Sequence, residues 1–354
     1  MSRKEEREMA GDTRRSGLTR RTFVAGAGLG AAGLTLGLPR TGRAAAAAVM
    51  HYAGGSADSV SALCDLFRTR TGRTAEFWRA GGVNVVQKVE AEFKAGRVLV
   101  DVIGNTEVEA MIDWAEQGKL MKYDSPEASH FPAEFRMPGY WVPQKVLLNT
   151  IAYNTQAIKA EDAPKHWADL ADPRWKGKIV MLDWRSSGSG VHLIYALRKL
   201  LGKDFAAKMA KQDVMLKRGG GDVSNTVISG ERPIGVGLQE YYVFDKARKG
   251  APIAAILPEE GVPMTLYSIC IPKDAPNPEG AKQFVDFALG REAQAMWQER
   301  FGTPVLRDDV PPYPRVYGLK PINEVKIIFS TIDDLREEGR TKSEFLEEWK
   351  QVSG

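Results

Sequence analysis

The chain has 354 residues, 43% hydrophobic and 27% charged, with a formal net charge of +4. The positive excess is local: residues 1–48 hold nine Lys/Arg and four Asp/Glu, leaving 40 basic against 41 acidic residues in the rest. Such a body lacks the concentrated positive field that nucleic-acid binding requires, and its 306 residues suffice for two domains of ordinary size.

The first section has the form of an address. Thr19-Arg20-Arg21-Thr22-Phe23-Val24 places two arginines ahead of a Gly/Ala/Leu stretch from Val24 to Leu38, followed by the run Ala44 to Ala48. A basic head, an apolar middle and a small-residue tail make a signal peptide. The middle, at 15 residues, falls short of the roughly 20 apolar residues a membrane span needs. With Arg40 and Arg43 beyond the apolar stretch, the pattern resembles a twin-arginine signal, so export to the periplasm with cleavage between Ala44 and Ala48 is expected. An N-terminal anchor helix with a chance arginine pair is the alternative.

Three strand–helix units follow. Val49 to Tyr52 predicts a strand, and Asp58 a cap for a helix carrying Val60, Leu63, Cys64 and Phe67 at the 3.6 period up to Gly72. Thr74 to Trp78 predicts the second strand, and Val85, Val86, Val89 and Phe93 the next helix face. Val98 to Ile103 predicts a strand buried on both faces, then Val108, Met111, Ile112 and Ala115 a third helix ending at Gly118. Alternating units of this kind imply a parallel sheet covered by helices. A second α/β region has strands at Lys178 to Leu182 and Ile234 to Leu238. Its helices are Gly190 to Leu201, Asp222 to Ser229 and Tyr242 to Lys249. Val146 to Tyr153 is long enough to cross between the regions, and Leu266 to Ile271 is a candidate return. Helices at Pro278 to Leu289 and Arg291 to Phe301 and a helical tail from Ile322 complete the chain. Discontinuous lobes are therefore expected: 49–147 with about 265–305, and 148–264 with about 306–354. Binding at such an interface falls outside the carboxyl ends of the strands. Cys64 and Cys270 sit in apolar patterns and are expected to be buried free thiols, a single disulfide being the alternative.

Several segments carry a family resemblance. Tyr153-Asn154-Thr155, Trp167-Ala168-Asp169-Leu170 and Asp172-Pro173-Arg174-Trp175-Lys176-Gly177-Lys178-Ile179 resemble the middle of type II solute-binding proteins of ABC importers, nearest to the ferric-iron-binding branch. Tyr52-Ala53-Gly54-Gly55, Phe67, Thr71-Gly72, Asp101-Val102, Glu259-Glu260-Gly261 and Ala275 to Glu279 with Ala281 match the flanking segments. The resemblance implies an α/β, two-lobed periplasmic-binding-protein type II fold, each lobe a mainly parallel sheet flanked by helices, with the ligand cleft between them. It also implies permease and ATPase subunits as partners. A monomer is expected. Trp167, Leu170 and Trp175 are expected only to pack.

Three segments are candidates for the cleft. Ser186-Ser187-Gly188-Ser189-Gly190 lies between a strand and a helix, where small residues leave backbone N–H groups reachable by an anion; an N-cap with a flexible turn is the plainer reading. Tyr241 and Tyr242 follow a strand, and in the ferric branch adjacent tyrosines here are metal ligands, a phenolate being a hard donor suited to Fe(III). Alternatively Tyr242 packs and Tyr241 alone lines the cleft. The first-lobe loops contribute Ser56, Asn84, Thr106 and Glu107. Here the chain departs from the ferric pattern, with Ser56 where one subgroup has a histidine and Thr106 where a carboxylate is expected. Two phenolates and one acid are an incomplete shell for six-coordinate iron. Either a bound Fe(III) is completed by a synergistic anion, which is favoured, or the ligand is itself an organic anion such as a phosphonate, sugar phosphate or carboxylate. No cofactor is required. Four scattered histidines, the absence of a Gly-x-Ser-x-Gly elbow and the absence of a Gly-Lys-Ser/Thr phosphate loop argue against an enzyme. A secreted hydrolase and a sensory partner are the alternatives of other classes.

Overall fold

The computed structural model describes residues 47–311, 315–329 and 331–353. The expected leader, but for its last two alanines, lies outside the described residues. Among them no helix is long and apolar enough to cross a membrane.

The first three units form as β1 (Val49–Ala53), α1 (Ala57–Thr71), β2 (Ala75–Arg79), α2 (Gly82–Lys94), β3 (Val102–Asn105) and α3 (Val108–Glu116). The cap of α1 is Ser56, whose Oγ accepts from the Ser59 N–H; Asp58, expected in that role, sits in the first turn. β3 begins four residues later than expected. Leu99, 45% exposed, has its N–H taken by the Glu92 carboxylate at 2.8 Å, so side-chain bonds hold the start of that apolar run. β2 is an edge strand with most of its residues exposed.

Beyond two short 3₁₀ turns comes β4 (Trp141–Asn154), fourteen residues all buried. The second region comprises β5 (Ile179–Leu182), α4 (Gly188–Leu201), α5 (Asp204–Ala210), β6 (Met215–Lys217), α6 (Gly220–Ser229), β7 (Ile234–Gln239), α7 (Glu240–Ala247) and β8 (Ile253–Ile256). The chain then returns through β9 (Val262–Cys270), α8 (Pro278–Leu289) and α9 (Arg291–Phe301), and ends with β10 (Ile327–Ile328) and α10 (Ile332–Lys350).

The strands run β2-β1-β3-β9-β4-β7-β5-β6, with β8 beside β4 and β10 beside β9. β1 is parallel to β2 and β3, and β5 to β6 and β7, as helix crossovers require. β4 joins the two lobes: Trp141 to Leu148 pair antiparallel with β9, and Asn149 to Tyr153 with β7.

Two irregularities shape this crossing. Pro143 opposes Ser268 and Lys145 opposes Tyr267, so Gln144 is an extra residue, a β-bulge. Thr150 opposes Leu238 and Ile151 opposes Val236, so Gly237 bulges on β7 with φ +74°. A Cβ on Gly237 would lie 2.5 Å from Leu193 Cδ2, so both backbone and packing require glycine there.

Each lobe has its own apolar core. In the first, Phe67, Phe284 and Trp297 fill one face of the sheet region, and Val89, Met111, Trp114 and Trp141 another. In the second, Trp167, Met181, Leu193 and Phe205 lie in one cluster, and Val180, Leu182, Val223 and Val243 in another. Trp167, Leu170 and Trp175 are buried, and Trp167 Nε1 donates to the Gly261 carbonyl at 2.9 Å. The segment expected with the second lobe, about 306–354, packs on both. Val310 and Leu335 join first-lobe clusters, while Phe345, Trp349 and Val352 join the second. Cys64 and Cys270 are buried and free.

Candidate functional site

Because both lobes are built from parallel βα units, the carboxyl ends of their strands turn toward a common seam. A cavity of about 170 Å³ lies there. The first lobe lines it with Gly54, Gly55 and Ser56 after β1, Arg79 at the end of β2, Gly81 and Gly82 entering α2, and Thr106 after β3. The second lobe adds Ser186, Ser187 and Ser189 before α4, Arg218 to Gly220 after β6, and Gln239, Tyr241 and Tyr242 at the β7–α7 junction. Lys145 and Leu147 of β4 and Tyr267 of β9 complete the wall from the crossing strands.

Of the residues expected from sequence, Ser56, Thr106, Ser186, Ser187, Ser189, Tyr241 and Tyr242 line this cavity. Asn84, Glu107 and Gly188 are not part of its lining. Asn84 is exposed on the first turn of α2. Glu107 is spent across the seam: its Oε1 accepts from the Gly188 N–H at 3.0 Å and its Oε2 from the Thr106 hydroxyl at 3.0 Å. Burial raises the Glu107 pKa, and those two hydrogen bonds oppose the rise. The first N–H of α4, expected to meet a ligand anion, thus already holds a carboxylate of the opposite lobe. A side chain on Gly188 or Gly82 would meet the same carboxylate.

The serines form a network. Gln239 Nε2 donates to Ser189 Oγ at 2.7 Å, Ser189 Oγ lies 3.0 Å from Ser187 Oγ, and Ser186 Oγ donates to the Asp183 carbonyl at 2.7 Å. Tyr241 and Tyr242 are half-buried with ring centroids 4.2 Å apart. Tyr242 lies over Gly220, where any Cβ would strike its ring. Burial, followed by the neighbouring Tyr242, holds the Tyr241 phenol well above 10, with Arg79 as the opposing charge. Tyr267 donates its hydroxyl to the Gly54 carbonyl at 3.0 Å, and Arg79 Nε donates to the Gly55 carbonyl at 2.6 Å, so both brace the β1–α1 turn.

Sequence reasoning missed the cations Arg79, Lys145 and Arg218, and also Gln239 and Tyr267. Arg79 and Arg218 stand at or just beyond the carboxyl ends of β2 and β6, the same positional signal that pointed to the serines and tyrosines. Lys145 is a lone charge in an apolar run, a signal visible in the sequence but not its direction.

A two-lobed α/β molecule with a polar cavity at the seam, walled by the loops that follow its strands, defines an extracytoplasmic solute-binding protein. The chain belongs to the bacterial extracellular solute-binding protein family, whose model matches residues 99–316. It is 30% identical over 244 residues to an uncharacterized protein of Haemophilus influenzae, covering 65% of this chain and 69% of that one. It is 27% identical over 172 residues to the spermidine/putrescine-binding periplasmic protein 1 of the same organism, 47% of each, so the chain spans about half the length of that relative. The fold matches iron-bound HitA from Pseudomonas aeruginosa with a TM-score of 0.75 at 23% identity, covering 86% of this chain and 99% of that one. It matches AfuA from Actinobacillus pleuropneumoniae, with exogenous fructose-6-phosphate bound, with a TM-score of 0.74 at 24% identity, covering 86% and 98%.

Proposed function

We propose that this protein is the periplasmic capture component of an ABC importer and that its solute is a small organic anion, a phosphate ester by preference. The observation that carries the ligand class is the charge of the cavity: Arg79, Lys145 and Arg218 line it, and among the described residues no Asp, Glu or His does. A polyamine, which is a polycation, would meet three like charges there. The serine hydroxyls, Gln239 and tyrosine hydroxyls supply the hydrogen-bonding partners that orient a polar solute in a pocket. Among the described residues no histidine or carboxylate lines the cavity with the serines, which supports binding rather than hydrolysis.

The adjacent tyrosines favour a second reading, Fe(III) with a synergistic anion. Against it, Glu107, the one acid of the expected shell, is already hydrogen-bonded to Gly188 and Thr106. In either case closure is the mechanism: the lobes flex about β4 and its neighbours, and a solute touching both faces favours the closed state by its differential affinity. The lobes we assign are β1 to β3 with β9 and their helices, and β5 to β8 with theirs. Export by the twin-arginine route, a monomeric state and delivery to a membrane permease complete the reading.

The test is a thermal-shift series on the mature protein with fructose 6-phosphate, inorganic phosphate, citrate and ferric citrate, together with metal analysis and a visible spectrum. Stabilisation by a phosphate compound, with no iron and no tyrosinate charge-transfer band, is expected. Stoichiometric iron with such a band, lost in the Tyr241→Phe/Tyr242→Phe double variant, would replace the first reading with the second.

A further inference from the structure

The bulge at Gln144 decides where Lys145 points. Trp141 faces the core of Val89, Met111 and Trp114, and so do Val146 and Leu148. In an uninterrupted strand an odd-numbered and an even-numbered residue cannot share a face. The extra residue resets the alternation, and Lys145 and Leu147 are turned to the cavity. Gln294 Nε2 pins the bulge by donating to the Gln144 carbonyl at 2.7 Å.

Lys145 is 6% exposed, yet among the described residues it has no ion pair and no hydrogen bond to its ammonium group, Glu240 acting on it only through space. What holds it is aromatic: Nζ stands 3.9 Å from the centroid of Trp297 and 4.7 Å from that of Tyr267. The groups facing it are Glu240 from the start of α7, His51 from β1 and Tyr267 from β9, while α9 presents the uncharged indole of Trp297. Burial pushes Glu240 up to about 8, with the Leu148 N–H and Lys145 opposing, and burial lowers His51 to about 3, Lys145 adding to it. Burial also raises the Tyr267 phenol.

We propose that Lys145 is the charge-pairing residue of the cleft, left without a counterion in the empty protein so that the anionic oxygens of the solute become that counterion, and that capture is coupled to proton uptake by its amine. The proposal rests on the reading of the cavity as an anion site. Burial lowers the Lys145 pKa to about 7, the Glu240 carboxylate working against it. An anion alongside raises it again. Affinity is therefore greatest where the free lysine is already protonated and falls as pH rises above about 7; a decline below about 6 would belong to protonation of the phosphate itself.

The experiment is titration calorimetry with fructose 6-phosphate and inorganic phosphate at pH 8, in two buffers of different ionisation heat, on wild type, Lys145→Met, Lys145→Arg and Glu240→Gln. Loss of a charge-assisted contact should weaken binding about 10- to 100-fold in Lys145→Met. Lys145→Arg should recover part of the affinity but not the proton uptake, and Glu240→Gln should keep the uptake. Wild type binding either probe with Lys145→Met equal in affinity and uptake would overturn the role of Lys145 and leave the anion reading standing. Wild type binding neither probe at millimolar concentration would overturn both. Should Lys145→Met not fold, the lysine Cε resonance absent from the Lys145→Arg spectrum reports the same point: its titration midpoint should move up by a unit or more when phosphate is added, and an unmoved midpoint counts against the proposal.

Discussion

On α4, His192 Nδ1 lies 2.6 Å from the Glu338 carboxylate of α10, both side chains buried, with Glu109 of α3 and Lys342 of α10 3.4 Å apart close by. Lys145 and Glu240 are buried as deeply, but they do not form an ion pair with each other or, among the described residues, with any other group. Both groups lie where the lobes meet. The difference is that the charges of the first are paired with each other, whereas Lys145 in the second has no ion pair among the described residues and faces the cavity. A buried charge with a partner fastens elements together, and one without a partner is costly until a partner arrives. Ion pairing, rather than burial or a displaced pKa, separates the structural cluster from the functional one.

The largest expected effect breaks the closed cluster. Glu338→Gln leaves His192 without its anion and should cost about 3 kcal/mol or more in denaturant unfolding. Burial acts to lower the His192 pKa, but Glu338, Asp334 and Glu109 outweigh it and the net displacement is upward. The His192 contribution is thus full below about 6.5 and lost as pH rises through the raised value, so the penalty should be largest in mild acid. Solute affinity at saturating stability should hardly change. An equal loss in affinity and stability would erase the distinction between the clusters.

The open cluster offers a finer measurement. Glu240 has its folded pKa pushed up to about 8 from an ordinary value near 4.5. Its contribution is full below the ordinary value and is lost as pH rises to about 8. Wild-type stability should therefore decline relative to Glu240→Gln across that window and stay below it by a constant amount above, as read from chemical denaturation at stepped pH. The smallest effect lies at the rim of the same α4–α10 contact. Arg198 bridges Glu344 at 2.7 Å and Glu348 at 3.1 Å in partly exposed positions, and Arg198→Ala should cost no more than about 1 kcal/mol, diminishing in high salt.

Much of this architecture is legible in the residues. The 3.6-residue spacing of Val60, Leu63, Cys64 and Phe67 gave α1, the long apolar run from Val146 gave the crossing, and small residues after strands gave the serine side of the cavity. The short strands β6 and β8 were not readable. They have three and four residues, and their pairing is decided by neighbours remote in sequence. The cationic wall was missed because an arginine at the end of an exposed edge strand has the pattern of a solvated face. The direction of Lys145 depends on a bulge with no glycine or asparagine to mark it.

The two buried thiols have a practical consequence. Burial pushes the Cys64 thiol up to about 12 and raises that of Cys270 as well, so neither presents a thiolate to solvent. A maleimide dye would pass over both and react with a single cysteine engineered at exposed Asn84, on the lip of the cleft. The native sequence is in that sense already prepared for an optical reporter of solute concentration, with no background labelling to remove.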